Sequence, residues 1–170
     1  MIGRFRRLCA RHQDRVFTFA RYYLGQREDA EDVTQEVLVR LWEHGAQIPE
    51  EELPAWLATV RRNACLDLLR RRRSERAVVS SSGGCEPLER AVAPGPQPDG
   101  LVQDAELRAQ LEGGLQLLPE AQRAVVVLRE VQGMTYEQIS QALGLPLNTV
   151  KVYLHRGRRA LRGYLGEHVP

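Results

Sequence analysis

Fifteen residues near the C-terminal end, NTVKVYLHRGRRALR (148–162), set short hydrogen-bonding side chains ahead of a run of long cations. Val150 and Leu154 mark the inner side of a helix, and Asn148, Thr149, Lys151, Val152, His155 and Arg156 then face outward, followed by Arg158, Arg159 and Arg162. That order suits duplex DNA: polar groups at the start of the helix meet base edges, and the later cations meet phosphates. The bland alternative is a pair of surface helices with solvated arginines. A second basic segment, 61–76, holds seven arginines against Asp67 and Glu75, whereas 28–36 holds five carboxylates and no cation. Two basic segments and one acidic segment point to a polyanionic partner and to another partner of different character. Enzyme chemistry is not expected. His12, His44, His155 and His168 are scattered, Cys9, Cys65 and Cys85 contain no C-x-x-C pair, and no phosphate-binding glycine loop or triad order occurs. Catalytic residues, a metal and a cofactor are all predicted to be absent.

The elements that must carry these residues are helical. Thr135 with Gln138 reads as a capping box, Gly144 as a helix stop, Leu145 as the turn plug and Pro146 as a tolerated helix start. With Ile139, Leu143 and Val150 these give the spacing of a helix-turn-helix over 134–165. Upstream, 101–118 predicts a helix with Leu107, Leu111, Leu115 and Leu118 inward, weakened by Gly113-Gly114. Residues 120–132 predict another with Ala124, Val127, Leu128 and Val131 on one face. In the first half, Ala30, Val33, Val37 and Leu41 repeat at helical steps, with Leu38 and Trp42 beside them. Leu57, Val60, Ala64 and Leu68 do the same, and Val16, Phe19, Ala20 and Tyr23 mark an earlier helix. Between the halves, 77–100 carries eleven Ser, Gly or Pro among 24 residues and reads as a flexible linker.

The expected fold is therefore all-α: two small helical domains, an N-terminal three- to four-helix bundle and a C-terminal helix-turn-helix bundle. The expected boundaries are 1–76, a linker over 77–105, and 106–170. Charged residues are 27% and apolar residues 43% of 170, which argues against wholesale disorder. The net charge of +2 hides its uneven distribution, and 23 of the 24 basic residues are arginine. No apolar run is long enough for a membrane span, and the basic start MIGRFRRLCARH lacks an apolar signal core, so a cytoplasmic location is expected.

The segment LPEAQRAVVVLREVQGMTYEQISQALGLPLNTVKVYLHRGRRAL resembles region 4 of the bacterial extracytoplasmic-function (ECF) sigma factors, within the sigma-70-like family. The shared pattern is LPE-x-x-R, G-x-[ST]-Y-E-x-I, LG-x-P-x-x-TVK and R-x-R-x-x-L. The resemblance implies binding of a promoter −35 element in the major groove by Lys151, Val152, His155, Arg156 and Arg159, with Thr149 near the backbone. Val152 and Tyr153 depart from the serine and arginine common there. DAEDVTQEVLVRLW (29–42) is similar to the family's region 2.2, which implies that Asp32, Gln35 and Glu36 dock on the β′ clamp helices of the polymerase core. LPAWLATVRRNACLDLLRRRR (53–73) resembles regions 2.3 and 2.4, which implies −10 contacts by Arg61, Arg62, Asn63 and Arg70. In the family, the loop before that helix, here 44–53, holds a flipped base together with the asparagine. This loop departs in carrying Glu50, Glu51 and Glu52.

The resemblance thus implies a sigma factor with RNA polymerase core (β′ clamp helices, β flap), promoter DNA and an anti-sigma factor as partners. Two other classes stay open: a sigma-like decoy that titrates an anti-sigma factor, and a plain helix-turn-helix regulator. Retained cations on the second helix weigh against the first, and the unused 29–73 pattern weighs against the second. Cys85 is read as an incidental linker thiol, with redox sensing as its alternative.

Overall fold

The computed structural model describes residues 2–81 and 102–168, with side chains from 2–77 and 105–166. Among them are seven α-helices and one π-helical turn, with no strand. Helix α1 spans Ile2–Leu24, α2 Arg27–His44 and α3 Leu53–Ser81. In the second half α4 spans Val102–Leu117, α5 Glu120–Val126, α6 Tyr136–Leu143 and α7 Leu147–His168, the π turn being Val127–Val131. The first half is thus a three-helix unit. Helix α3 runs through Ser81, beyond the expected start of the linker at 77, and α4 begins at Val102, before its expected end. Residues 82–101, including Cys85, lie outside the described residues.

The helical periodicities put their residues where burial is greatest. Val16, Phe19, Ala20, Tyr23, Ala30, Val33, Val37, Leu41, Leu57 and Ala64 are all buried, and Leu68 is half-buried. Each large apolar side chain removed from water this way contributes about 1.5–3 kcal/mol before entropy is counted. The second half buries Leu115, Leu118, Ala124, Val127, Leu128, Ile139, Ala142, Val150 and Leu154, and the two halves share one apolar cluster.

Three sequence expectations for the second half fail. Leu107 is 51% exposed on α4 rather than inward, and the inner face of that helix begins at Leu111. Val131 is 37% exposed, because the Gln132 N–H bonds the Val127 carbonyl (3.1 Å) across a widened turn. One residue more per turn rotates the positions downstream of it, so Val131 moves outward and Gln132 moves inward. The Gly113-Gly114 pair is a close-packing site rather than a weakness: a Cβ on Gly114 would stand 2.8 Å from Tyr164 Cδ1 and 3.0 Å from Leu161 Cδ2 of α7.

The halves pack directly on one another, α3 against α6 and α1 against α4 and the π turn. Thr59 Oγ1 of α3 donates to the Ala142 carbonyl (2.8 Å) of α6. Gln116 Nε2 donates to the Tyr22 (3.1 Å) and Tyr23 (3.3 Å) carbonyls at the end of α1. The buried Arg123 reaches the same end, donating to Tyr23 O (2.8 Å) and also to Gln116 O (2.9 Å) and Leu118 O (3.0 Å). Its guanidinium therefore satisfies carbonyls that the end of α4 leaves open. Ion pairs Arg21–Glu112 (2.9 Å) and Arg73–Glu120 flank the seam.

Candidate nucleic-acid and polymerase interface

The C-terminal reader is assembled by local chemistry. The Thr135 side chain accepts from the Gln138 N–H (3.2 Å), and Gln138 Oε1 accepts from the Thr135 N–H (2.9 Å), closing the capping box. Gly144 ends α6 at φ +63°, a left-handed geometry that costs other L-residues about 1–2 kcal/mol. Ser140 Oγ donates to the Leu145 carbonyl (2.5 Å), fixing the turn. Val150 and Leu154 are fully buried, which leaves Asn148, Lys151, Val152, His155, Arg156 and Arg159 exposed along one side of α7 and Thr149 half-buried. His155, Arg158, Arg159 and Arg162 line an open basic hollow of about 420 Å³. Arg158 is the tethered member, donating to Glu130 through Nε (2.9 Å) and Nη2 (2.5 Å). Lys151, His155, Arg156 and Arg159 form no ion pair among the described residues, so their charge and donors face solvent. Tyr153 is half-buried against the core, and only Val152 of the two departing positions presents an apolar surface outward.

On α2, Asp32 and Gln35 are exposed, while Glu36 is half-buried and accepts from Arg40 Nη2 (2.5 Å). Val39 and Trp42, 56% and 47% exposed, continue the same stripe at steps of four and three from Gln35. Trp42 meets Phe5 of α1 edge-on at 4.8 Å between ring centroids. The sequence pattern sets Trp42 beside the core stripe and gives Val39 no role. The signal for both is the off-stripe position of an apolar side chain on a helix whose inner face is already filled. Asp29 is the exception within the acidic segment: it is buried and paired with Arg72 of α3.

Helix α3 divides its cations. Arg70 is exposed and pairs with Asp67 at 3.4 Å. Arg62 and Asn63 are half-buried neighbours, with Arg62 Nη1 at 3.4 Å from Asn63 Oδ1. Arg61 is a correction to the sequence reading. It is 4% exposed, sits over the Phe19 ring (4.8 Å) and donates to Gln132 Oε1 (3.1 Å) and toward Met134 Sδ (3.8 Å). The reason is register: Arg61 follows Leu57 by four residues and precedes Cys65 by four, so it lies on the buried stripe and meets the other half. Burial, then the neighbouring Arg15, push its pKa down to about 10. Trp56 is half-buried against the core. In the loop before α3, Arg4 donates to the Ala46 and Ile48 carbonyls (3.0 Å each), and Glu50 pairs with Arg11 (3.1 Å) while Glu51 and Glu52 stay exposed.

Two family descriptions match this chain: sigma-70 region 2 over residues 8–75 and sigma-70 region 4 over residues 108–161. The ECF RNA polymerase sigma factor SigL of Mycobacterium tuberculosis is 34% identical over 164 residues, covering 95% of this chain and 89% of that protein. The chain belongs to the ECF sigma factors of RNA polymerase. Another relative, the ECF sigma factor SigE of Mycolicibacterium smegmatis, is 37% identical across 95% of this chain, which spans only 61% of that longer protein. SigW of Bacillus subtilis is 28% identical, covering 91% and 84%. The same fold occurs in the sigma factor RpoE in complex with the anti-sigma factor NepR from Bartonella quintana (TM-score 0.74, 24% identity, 95% of this chain and 96% of that one). It also occurs in CnrH in complex with the cytosolic domain of CnrY (TM-score 0.71, 24% identity, 98% and 90%).

Within this ECF sigma factor the structure gathers the expected −35 readers on one helix and the expected polymerase-docking residues on another. It does not gather the expected −10 set: Arg62, Asn63 and Arg70 reach the surface of α3, and Arg61 does not. No helix among the described residues is long and apolar enough to cross a membrane.

Proposed function

We propose that this chain supplies promoter specificity to an RNA polymerase core, acting as a binding factor rather than as an enzyme, in the cytoplasm. The observation that carries the reading is the outer side of α7, where Lys151, His155, Arg156 and Arg159 stand exposed, without ion pairs among the described residues, after a fully formed helix-turn-helix. Such a helix enters the major groove by its N-terminal part, so Thr149, Lys151 and Val152 meet the −35 bases and the arginines behind them meet phosphates. Val152 offers a methyl contact, of the kind a thymine accepts, where a hydrogen-bonding side chain is absent.

Helix α2 is the polymerase-docking element in this reading. Asp32 and Glu36 supply negative charge and Gln35 an amide for hydrogen bonding, and exposed Val39 and Trp42 supply an apolar centre that a polar rim can seal. Arg62, Asn63 and Arg70 take the −10 strand. Arg61 joins them only when the halves part, because its guanidinium is enclosed by Gln132 and Met134 while they are packed. An anti-sigma factor is the natural competitor for these surfaces in this reading; RpoE of the same fold is found in complex with the anti-sigma factor NepR. A decoy role is disfavoured by the solvent-facing cations of α7.

Run-off transcription with purified core polymerase on genomic fragments tests the proposal. Added protein should produce discrete transcripts whose start sites share two upstream elements. Absence of binding to the core in co-purification would refute it.

A further inference from the structure

A small, partly open cleft at the seam is lined by His12, Arg15, Val16, Pro54, Leu57, Arg61 and Met134 and offers about 30 Å³. Its polar wall is entirely basic. Arg61, buried and lining this cleft, offers five N–H donors but finds one amide oxygen and one thioether, and its Nε is buried with no acceptor among the described residues. Arg15 competes for the same amide oxygen (Nε at 3.4 Å from Gln132 Oε1) and donates through Nη2 to the Gln132 carbonyl (2.6 Å). The other buried arginine of the seam, Arg123, also has a buried Nε without an acceptor among the described residues. Its two terminal nitrogens, however, are taken up by three carbonyls and the Gln116 amide oxygen, whereas those of Arg61 find only one amide oxygen and one thioether. No carboxylate among the described residues pairs with Arg61, and a buried cation without a counter-charge is strongly destabilising.

We propose that this cleft is an anion site for a monovalent, halide-sized ion such as chloride, held by Arg61, Arg15 and His12. The space suits that class. A site needs roughly 10–15 Å³ to take one water-sized particle, so the inner part of the cleft admits one or two and fits a small anion better than a bulky organic one. Apolar walls from Val16, Leu57 and Met134 would limit competition by water. Met134 belongs to the second half and Arg61 to the first, so the ion is bound fully only while the halves are packed, and its binding favours the packed state.

His12 provides an internal reporter. Burial first, then Arg11, Arg15 and Arg61, lower its pKa, opposed only by Glu50; the facing groups of the second half, Gln132 and Met134, are neutral. An anion among these cations must move that pKa upward. The test uses the full chain at fixed ionic strength, with chloride exchanged for isethionate, which fits the inner part of the cleft less well. Expected are a saturable rise in thermal midpoint with chloride and a ³⁵Cl line-broadening that is lost in Arg61→Met and weakened in Arg15→Gln. An upward shift of the His12 imidazole pKa by about one unit in chloride should accompany them. Arg156→Gln, a change of equal charge on α7, should keep all three effects. Should Arg61→Met fail to fold, Arg15→Gln and the His12 titration still decide. A chloride response that is linear and equal in every variant, or a His12 pKa identical in the two salts, overturns the site.

Discussion

Gln132 is the residue through which the two halves are most sharply coupled. Its Oε1 accepts from Arg61 Nη1 (3.1 Å) and more weakly from Arg15 Nε (3.4 Å), and its Nε2 donates to the Arg15 carbonyl (3.2 Å). In Gln132→Ala, Arg61 keeps, of its protein contacts from the described residues, the Met134 sulfur and the Phe19 face, whereas Arg15 keeps its bond to the backbone carbonyl of residue 132. A hydrogen bond to a charged group is worth about 1.5–3 kcal/mol, and the loss falls on the packed state alone, since a separated Arg61 is hydrated. Taking about 2–3 kcal/mol, the packed-to-open ratio falls roughly 30- to 150-fold at about 1.4 kcal/mol per decade. The assay is modification of Arg61 by phenylglyoxal, followed by mass spectrometry of the tryptic peptides, because the side chain is 4% exposed when packed. The rate at Arg61 should rise by that factor, while the rate at exposed Arg70 stays constant. An unchanged rate at Arg61 would refute the assignment of Gln132 as the coupling residue.

Other consequences concern the working surfaces. Arg156→Ala should weaken −35 duplex binding and reduce the slope of log K against log salt by about 0.9; an unaltered slope would exclude a phosphate contact. Asn63→Ala should lower open-complex formation, followed by a fluorescent base in the −10 strand, without loss of −35 duplex affinity. Val39→Asp should weaken core-polymerase binding at least about tenfold while the thermal stability of the free chain changes by no more than about 0.5 kcal/mol, since Val39 is exposed. His12, with its folded-state pKa below the ordinary 6.5, binds its proton less readily when folded. Stability should therefore fall as pH drops below about 6.5 toward that lowered value, and His12→Gln should flatten the dependence measured by urea unfolding.

What could be read from the chain by itself were arrangements whose causes lie within a few residues. The capping box at Thr135–Gln138, the stop at Gly144, the start at Pro146 and the inward pair Val150–Leu154 are all settled by neighbours in sequence. The exposed reading face of α7 follows from them without reference to the rest of the molecule. Tertiary structure decided the features whose partners are far away. Arg61 is buried by a residue 71 positions distant, Thr59 is bonded to one 83 positions distant, and Gly113-Gly114 makes room for Tyr164. The π turn is the plainest case. A strict 3.6-residue period places Val131 inside, and only the widened turn against α1 exchanges it for Gln132, turning an apolar helix face into the polar junction that covers one −10 candidate. Periodicity reports which face of a helix is apolar; which polar groups another helix will demand on that face depends on what packs there.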